Sequence, residues 1–130
     1  MVEVPNEAGC AAILREVRWG DKVTCPHCQS EQVRPLQPYK DVLWRYICRN
    51  CGRTFNDKTL TVFDGSKLTL QQWFTAIQIL GEQPQPSTRR IREALGVSHI
   101  TARRVISLLE SAPETPLIRE KLAQQAEAGA

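Results

Sequence analysis

Two pairs of cysteines at matched spacing constrain the fold of this chain more than any other feature. The pairs stand in the segments CPHC, residues 25–28, and CRNC, residues 48–51. Two residues between cysteines let one tight turn present two thiolates, and four thiolates complete the tetrahedron that zinc adopts in structural sites. The spacing therefore predicts one structural zinc ion, bound by Cys25, Cys28, Cys48 and Cys51.

Other uses of cysteine fit this pattern less well. The chain has five cysteines, so disulfide pairing would leave one over, and its N-terminus carries no secretory pattern. A redox Cys-x-x-Cys motif normally occurs once, next to a βαβ unit. Cys10 lies on the apolar face of a predicted helix and is expected to be a core residue. Four thiolates leave no open position for water, so the predicted site is not catalytic.

Length and composition agree with a small protein that a metal stabilises. The chain has 130 residues, of which 6% are aromatic, so the core is expected to be small. No apolar stretch approaches the length that spans a bilayer, and we expect a cytoplasmic protein without membrane contact. The net charge of +3 is mild, so its distribution matters more than its total.

The hydrophobic pattern changes period along the chain. Residues 6–19 have helical spacing, with Asn6 as the N-cap and Gly20 as the end. Short strands are expected within residues 21–56, most clearly at 33–36 and 43–47. A helix follows from Leu70, with Gly81 as its predicted stop. Two helices opening at Ser87 and Ser98, and one over residues 115–125, complete the prediction.

These elements predict an α+β protein, with a small β zinc ribbon preceded by a short helix and followed by a helical helix-turn-helix domain. The predicted boundaries are 1–20 for the N-terminal helix, 21–64 for the ribbon, 65–112 for the helix-turn-helix domain and 113–130 for a C-terminal helix or tail.

Residues 87–110 have helix-turn-helix form, with Gly96-Val97-Ser98 as the turn. Arginines concentrate here, which favours double-stranded DNA as the partner over a plain helical hairpin with a solvated basic face. The second helix would enter the major groove with its N-terminal turn. The residues predicted to reach base edges are His99, Ile100 and Arg104; those predicted to meet the phosphate backbone are Ser98, Thr101, Arg103, Arg89 and Arg90.

Four segments in this order resemble the N-terminal part of insertion-sequence transposases that carry a zinc ribbon. They are VRWGDKVTCPHCQSEQV, YICRNCGRTFNDKT, TVFDGSKLTLQQWFTAI and LGVSHITARRVISLL. The resemblance implies that ribbon and helix-turn-helix recognise transposon-end DNA. Those transposases continue into an RNase-H-like domain whose acidic residues hold two metal ions. This chain stops at Ala130, and Glu82, Glu93 and Glu110 fall in a loop or on helices, so no catalytic activity is expected.

The leading interpretation is a zinc-stabilised DNA-binding protein without catalytic activity, a transcription regulator derived from a transposase. One alternative is the DNA-recognition part of a transposase whose catalytic domain is separate or lost. Another is an adaptor that binds RNA polymerase or another protein through the ribbon. Its side chains that could serve either protein or DNA are Trp44, Arg45, Tyr46, Arg49 and Arg53, and the sequence does not choose between these partners. A homodimer formed through residues 115–125 is also left open.

Overall fold

The computed structural model describes residues 4–39, 43–82 and 88–128, with only the backbone described at 37–39 and 126–128. The predicted α+β class is confirmed: within these residues a sheet of three strands accompanies five helices. The elements are α1 (Glu7–Trp19), β1 (Val33–Tyr39), β2 (Leu43–Cys48), β3 (Thr54–Asn56), α2 (Leu70–Glu82), α3 (Thr88–Leu95), α4 (His99–Ser111) and α5 (Glu114–Ala128).

Local capping chemistry sets the bounds of α1 as predicted. The Asn6 side chain accepts a hydrogen bond from the Gly9 amide at 2.9 Å, which satisfies one of the free N–H groups of the first turn. At the other end, Gly20 has φ of 63° and its amide donates to the Glu16 carbonyl at 2.9 Å. Glycine suits this position because the left-handed backbone costs it little.

The sheet is antiparallel, with strand order β1-β2-β3. β1 is an edge strand, as its prolines predict, and its pairing with β2 shifts register between Pro35 and Pro38. β1 extends to residue 39, beyond the predicted end at 36. Tyr46 of β2 lies opposite Pro35 on one side and Phe55 on the other. The central strand β2 is thus paired along both of its edges.

Helix α2 is the centre of the helical core and packs against α1, α3, α4 and α5. Thr69 and Gln72 form a reciprocal capping box at its start, and the Glu7 carboxylate of α1 accepts from the Leu70 amide at 2.8 Å. The predicted stop at Gly81 is wrong, because α2 continues to Glu82. A Cβ at Gly81 would lie 2.8 Å from Arg119 Nε, so this glycine leaves room for a side chain of α5.

One main core unites all five helices. Its largest fully buried side chains include Phe63 and Phe74, and the Phe63 ring meets Trp73 edge-on at 5.3 Å. Leu43 of β2 belongs to the same core, so the sheet and the helices are joined there. The predicted domain boundaries stay a prediction. The opening of α3 at Ser87 and the loop at 83–86 lie outside the described residues.

Helix α5 turns its apolar residues toward this core. Ile118 and Leu122 are fully buried, and α5 packs against α1 and α2. That face of the helix is therefore occupied within the chain, whereas Leu117 is 47% exposed. The homodimer stays a prediction. No helix in the described ranges is both long and apolar enough to cross a membrane.

Candidate metal centre and nucleic-acid interface

The structure brings the four paired cysteines together at one end of the sheet. Their Sγ atoms all lie within 4.8 Å of one another. Cys25 and Cys48 are buried, Cys28 is half-buried and Cys51 is exposed. All are free thiols, and within the described ranges they make up the single group of three or more possible metal ligands.

The spacing of the sulfur atoms fits a zinc ion. The distance from Cys25 Sγ to Cys51 Sγ is 3.8 Å, and that from Cys28 Sγ to Cys48 Sγ is 3.6 Å. In a regular tetrahedron with Zn–S bonds of about 2.3 Å, neighbouring sulfurs are about 3.8 Å apart. A disulfide would need about 2.05 Å, so the arrangement suits a shared metal and not a covalent pair. These four residues form a zinc-ribbon site for one structural zinc, as predicted.

Each cysteine pair sits on the same kind of turn. The Gln29 amide donates to the Cys25 carbonyl at 2.8 Å, and the Gly52 amide donates to the Cys48 carbonyl at 2.8 Å. Each of these turns ends at a residue whose backbone lies in the left-handed region, with φ of 62° at Gln29 and 79° at Gly52. The role of Gly52 is visible in the sequence, whereas Gln29 is missed because glutamine seldom adopts this conformation.

The pKa shifts in opposite directions at two cysteines, Cys28 in the cluster and Cys10 outside it. A hydrogen bond from the Asn50 side chain is the main cause that lowers the pKa of Cys28 to about 6, which favours the thiolate that binds metal. Burial raises the pKa of Cys10 to about 12, and its thiol donates to the Pro5 carbonyl in the core. Cys10 is a core residue, as predicted.

A buried carboxylate joins the ribbon to α1. Asp57 is fully buried and follows β3. Its side chain accepts hydrogen bonds from Arg15 Nε at 3.1 Å, from the Trp44 amide at 2.7 Å and from the Tyr46 hydroxyl at 2.9 Å. Arg18 donates to the Asp57 backbone carbonyl at 2.9 Å. These contacts hold the sheet against the helix.

Aromatic packing supports the same junction. Trp19, the last residue of α1, meets the Tyr46 ring edge-on at 5.6 Å and the Phe55 ring at 6.0 Å. Tyr46 and Phe55 stack at 5.1 Å. The prediction that Tyr46 could serve as a partner contact is wrong, since it is only 4% exposed and lies under α1. Trp44 and Arg45 are exposed, as that hypothesis requires.

The turn between α3 and α4 has helix-turn-helix form. Gly96 has φ of 69°, and its amide donates to the Arg92 carbonyl at 2.9 Å. Ser98 is the N-cap of α4, with its hydroxyl oxygen accepting from the Thr101 amide at 3.1 Å. Ala102 is fully buried at the contact between the helices, which lets them approach closely.

The outer face of α4 carries most of the predicted DNA contacts. Ile100 is 81% exposed, an unusual position for a large aliphatic side chain. His99, Arg103 and Arg104 are exposed beside it, while Thr101 is half-buried. Arg103 and Arg104 have no ion-pair partner in the described part of the chain. The opposite face of α4 is buried in the core.

The predicted arginines of α3 are differently placed. Arg89 pairs with Glu93 at 3.0 Å, and Arg90 pairs with Glu82 at 2.7 Å. Hydrogen bonding to Arg90 is the main cause that lowers the pKa of Glu82. Both guanidinium groups are thus already paired with carboxylates of the same chain. Arg92 of α3, like Arg103 and Arg104 of α4, is exposed and has no ion-pair partner within the described ranges.

Loss of the α4 cap gives a local test of this geometry. Ser98→Ala is expected to lower the free energy of unfolding by about 1 kcal/mol, because the Thr101 amide loses its acceptor. Thermal or urea unfolding measures the change. Ser107→Ala, an exposed substitution within the same helix, is the control and should cost nothing. Equal stability of both variants would show that the cap does not hold the start of α4.

Comparison with known proteins bears on the ribbon first. Residues 5–54 match a family model described as the transposase zinc-ribbon domain. The predicted resemblance to zinc-ribbon transposases is therefore confirmed. The matched range contains α1 and all four cysteines, which agrees with the packing of α1 on the sheet.

A relative extends the similarity into the helical part. A protein in the transposable element ISH50 of Halobacterium salinarum is 35% identical over 111 residues. The aligned segment covers 85% of this chain and 37% of that protein. The chain thus spans little more than a third of the relative's length. No solved structure matches.

Proposed function

We propose that this transposase-related chain binds double-stranded DNA, with α4 as the element that reads it. The observation that carries the proposal is the outer face of α4, where exposed Ile100 lies beside the unpaired Arg103 and Arg104. Burial of the opposite face in the core supports a rigid reading element. A core helix gains nothing from an exposed isoleucine, whereas an aliphatic group in the major groove contacts thymine methyls.

The roles of the individual side chains follow from their positions. His99, Ile100 and Arg104 project from the first turns of α4, which enter the groove in helix-turn-helix proteins. Ser98, Thr101 and Arg103 are assigned to phosphates near the helix N-terminus, where free amides favour an anion. Arg89 and Arg90 of α3 are assigned to the phosphate backbone of the flanking DNA. To bind there, they must exchange their carboxylate partners for phosphates.

Arginine removal tests the proposal. Arg103→Ala should lower the slope of log affinity against log salt by about one, as expected for one lost phosphate contact. Arg104→Ala should cost about 1–3 kcal/mol of binding and relax base preference at one position. Titration of duplex DNA over a salt series measures both.

Arg119→Ala is the matched control, since it removes an exposed arginine of α5 and not of α3 or α4; its melting temperature is measured as well, because the Arg119 side chain lies over Gly81. Its affinity for duplex DNA should equal that of the unmodified protein. If Arg103→Ala and Arg104→Ala behave like this control, α4 is not the DNA-reading helix.

The finer role that we propose is transcription regulation without strand cleavage, in the cytoplasm. The ribbon thiolates support this location, since they need a reducing compartment to stay available for zinc. A map of occupied genomic sites separates regulation, which places the protein at promoters, from transposon-end recognition. Cleavage of bound DNA on addition of Mg²⁺ would contradict the non-catalytic role.

A further inference from the structure

Toward the cysteine end of the ribbon sheet, one face carries residues that belong to neither hydrophobic core, whereas Leu43, on the same side at the other end of β2, is buried in the main core. Opposed residues on antiparallel strands share a face. The register places Arg34 opposite Ile47, Ile47 opposite Thr54, and Arg45 opposite Asn56. These five residues define what we call the sheet face. The other side of the same strands carries Tyr46, Cys48 and Phe55, which form the small ribbon core beneath Trp19.

The sheet face is basic and carries no carboxylate among its five residues. Arg34 and Arg45 are exposed and have no ion-pair partner within the described ranges. They stand diagonally across neighbouring strands, where Cα positions are about 7–8 Å apart and long side chains are within reach of each other. Two like charges at this distance repel each other, so the face gains from any anion placed over both. This differs from Arg89 and Arg90 of α3, which are paired with carboxylates.

Polar groups surround one of these arginines. Arg45 borders a shallow hollow of about 310 Å³ that is also lined by Thr54, Asn56 and Thr59. Guanidinium, hydroxyl and amide groups are the donors that proteins most often offer to phosphate oxygens. The face lacks the exposed aromatic side chains that dominate protein–protein hot spots, and Ile47 is half-buried. Its chemistry fits a polyanion better than a protein surface.

We propose that the sheet face is a second DNA contact, binding the phosphodiester backbone of duplex DNA separately from α4. This inference rests on the proposed function and adds a surface to it. Because α1 contributes to both the helical core and the ribbon core, the sheet face keeps a fixed position relative to α4. Contact of both surfaces with one duplex should protect two separate segments of it.

The test uses the full chain loaded with zinc and a duplex that carries a site selected for binding by the unmodified protein. The double variant Arg34→Gln/Arg45→Gln should lower the log–log salt slope by about two and weaken binding about tenfold or more at low salt. In a hydroxyl-radical footprint it should lose one protected segment and keep the segment due to α4. Both positions are exposed, so its melting temperature should match that of the unmodified protein.

The matched control is Lys22→Gln/Lys121→Gln. It removes the same charge from lysines that are paired with Glu31 and Glu16, and it should keep both the slope and the footprint. A double arginine variant that behaves like this control overturns the inference. The α4 variants decide the proposed function separately, since their loss of affinity does not depend on the sheet face.

Discussion

Removal of zinc is expected to unfold the ribbon, residues 21–56, while most of the helical core stays folded. Apart from the cysteines, the ribbon core consists mainly of Tyr46 and Phe55 under Trp19, which is too little to hold three short strands. Structural zinc contributes about 10–16 kcal/mol of apparent binding free energy in small zinc-finger peptides, far more than this apolar contact. The free energy of zinc binding therefore decides whether the ribbon folds.

Chelation followed by circular dichroism, tryptophan fluorescence and NMR measures this outcome. The helical signal should largely persist, while ribbon resonances and the emission of Trp19 and Trp44 should change. Cys48→Ser should give the same result without a chelator and bind less than one zinc per chain. Cys10→Ala is the control and should keep one zinc, because Cys10 lies in the helical core. A ribbon that survives chelation unchanged would contradict the zinc assignment.

Asp57→Ala is expected to cause a large loss of stability outside the zinc site. It removes the acceptor for Arg15 Nε, the Trp44 amide and the Tyr46 hydroxyl. Buried donors left without a partner cost about 1–3 kcal/mol each, but Arg15 keeps 28% side-chain exposure and can be hydrated. We therefore expect a loss of about 3 kcal/mol in the free energy of unfolding, measured by urea titration.

Glu31→Ala is the matched control for this carboxylate. It breaks the Lys22–Glu31 ion pair, whose side chains are 66% and 57% exposed. Exposed pairs contribute about 0–1 kcal/mol, so the control should remain near the stability of the unmodified protein. If Asp57→Ala loses no more than Glu31→Ala, the buried carboxylate does not hold the ribbon to α1.

Features that depend on neighbouring residues could be read from the sequence. The zinc ligands follow from cysteine spacing, and the helix limits at Asn6, Gly20, Gly96 and Ser98 follow from capping chemistry. Each of these features involves residues only a few positions apart, so residue type and spacing are enough to predict it. Gly81 was misinterpreted because a distant side chain, Arg119, explains it better than a helix end does.

The two cysteine pairs by themselves determined that this chain folds around a zinc site, because a tight turn and a tetrahedral metal need only local spacing. Only the tertiary structure decided which sheet face is buried. Strand alternation in β2 yields two faces, and the packing of Trp19 selects the one that carries Tyr46. The same packing buries Asp57, 42 residues from Arg15 along the chain, and leaves Arg34 and Arg45 exposed. Contacts at such separation depend on the assembled core, which no local pattern encodes.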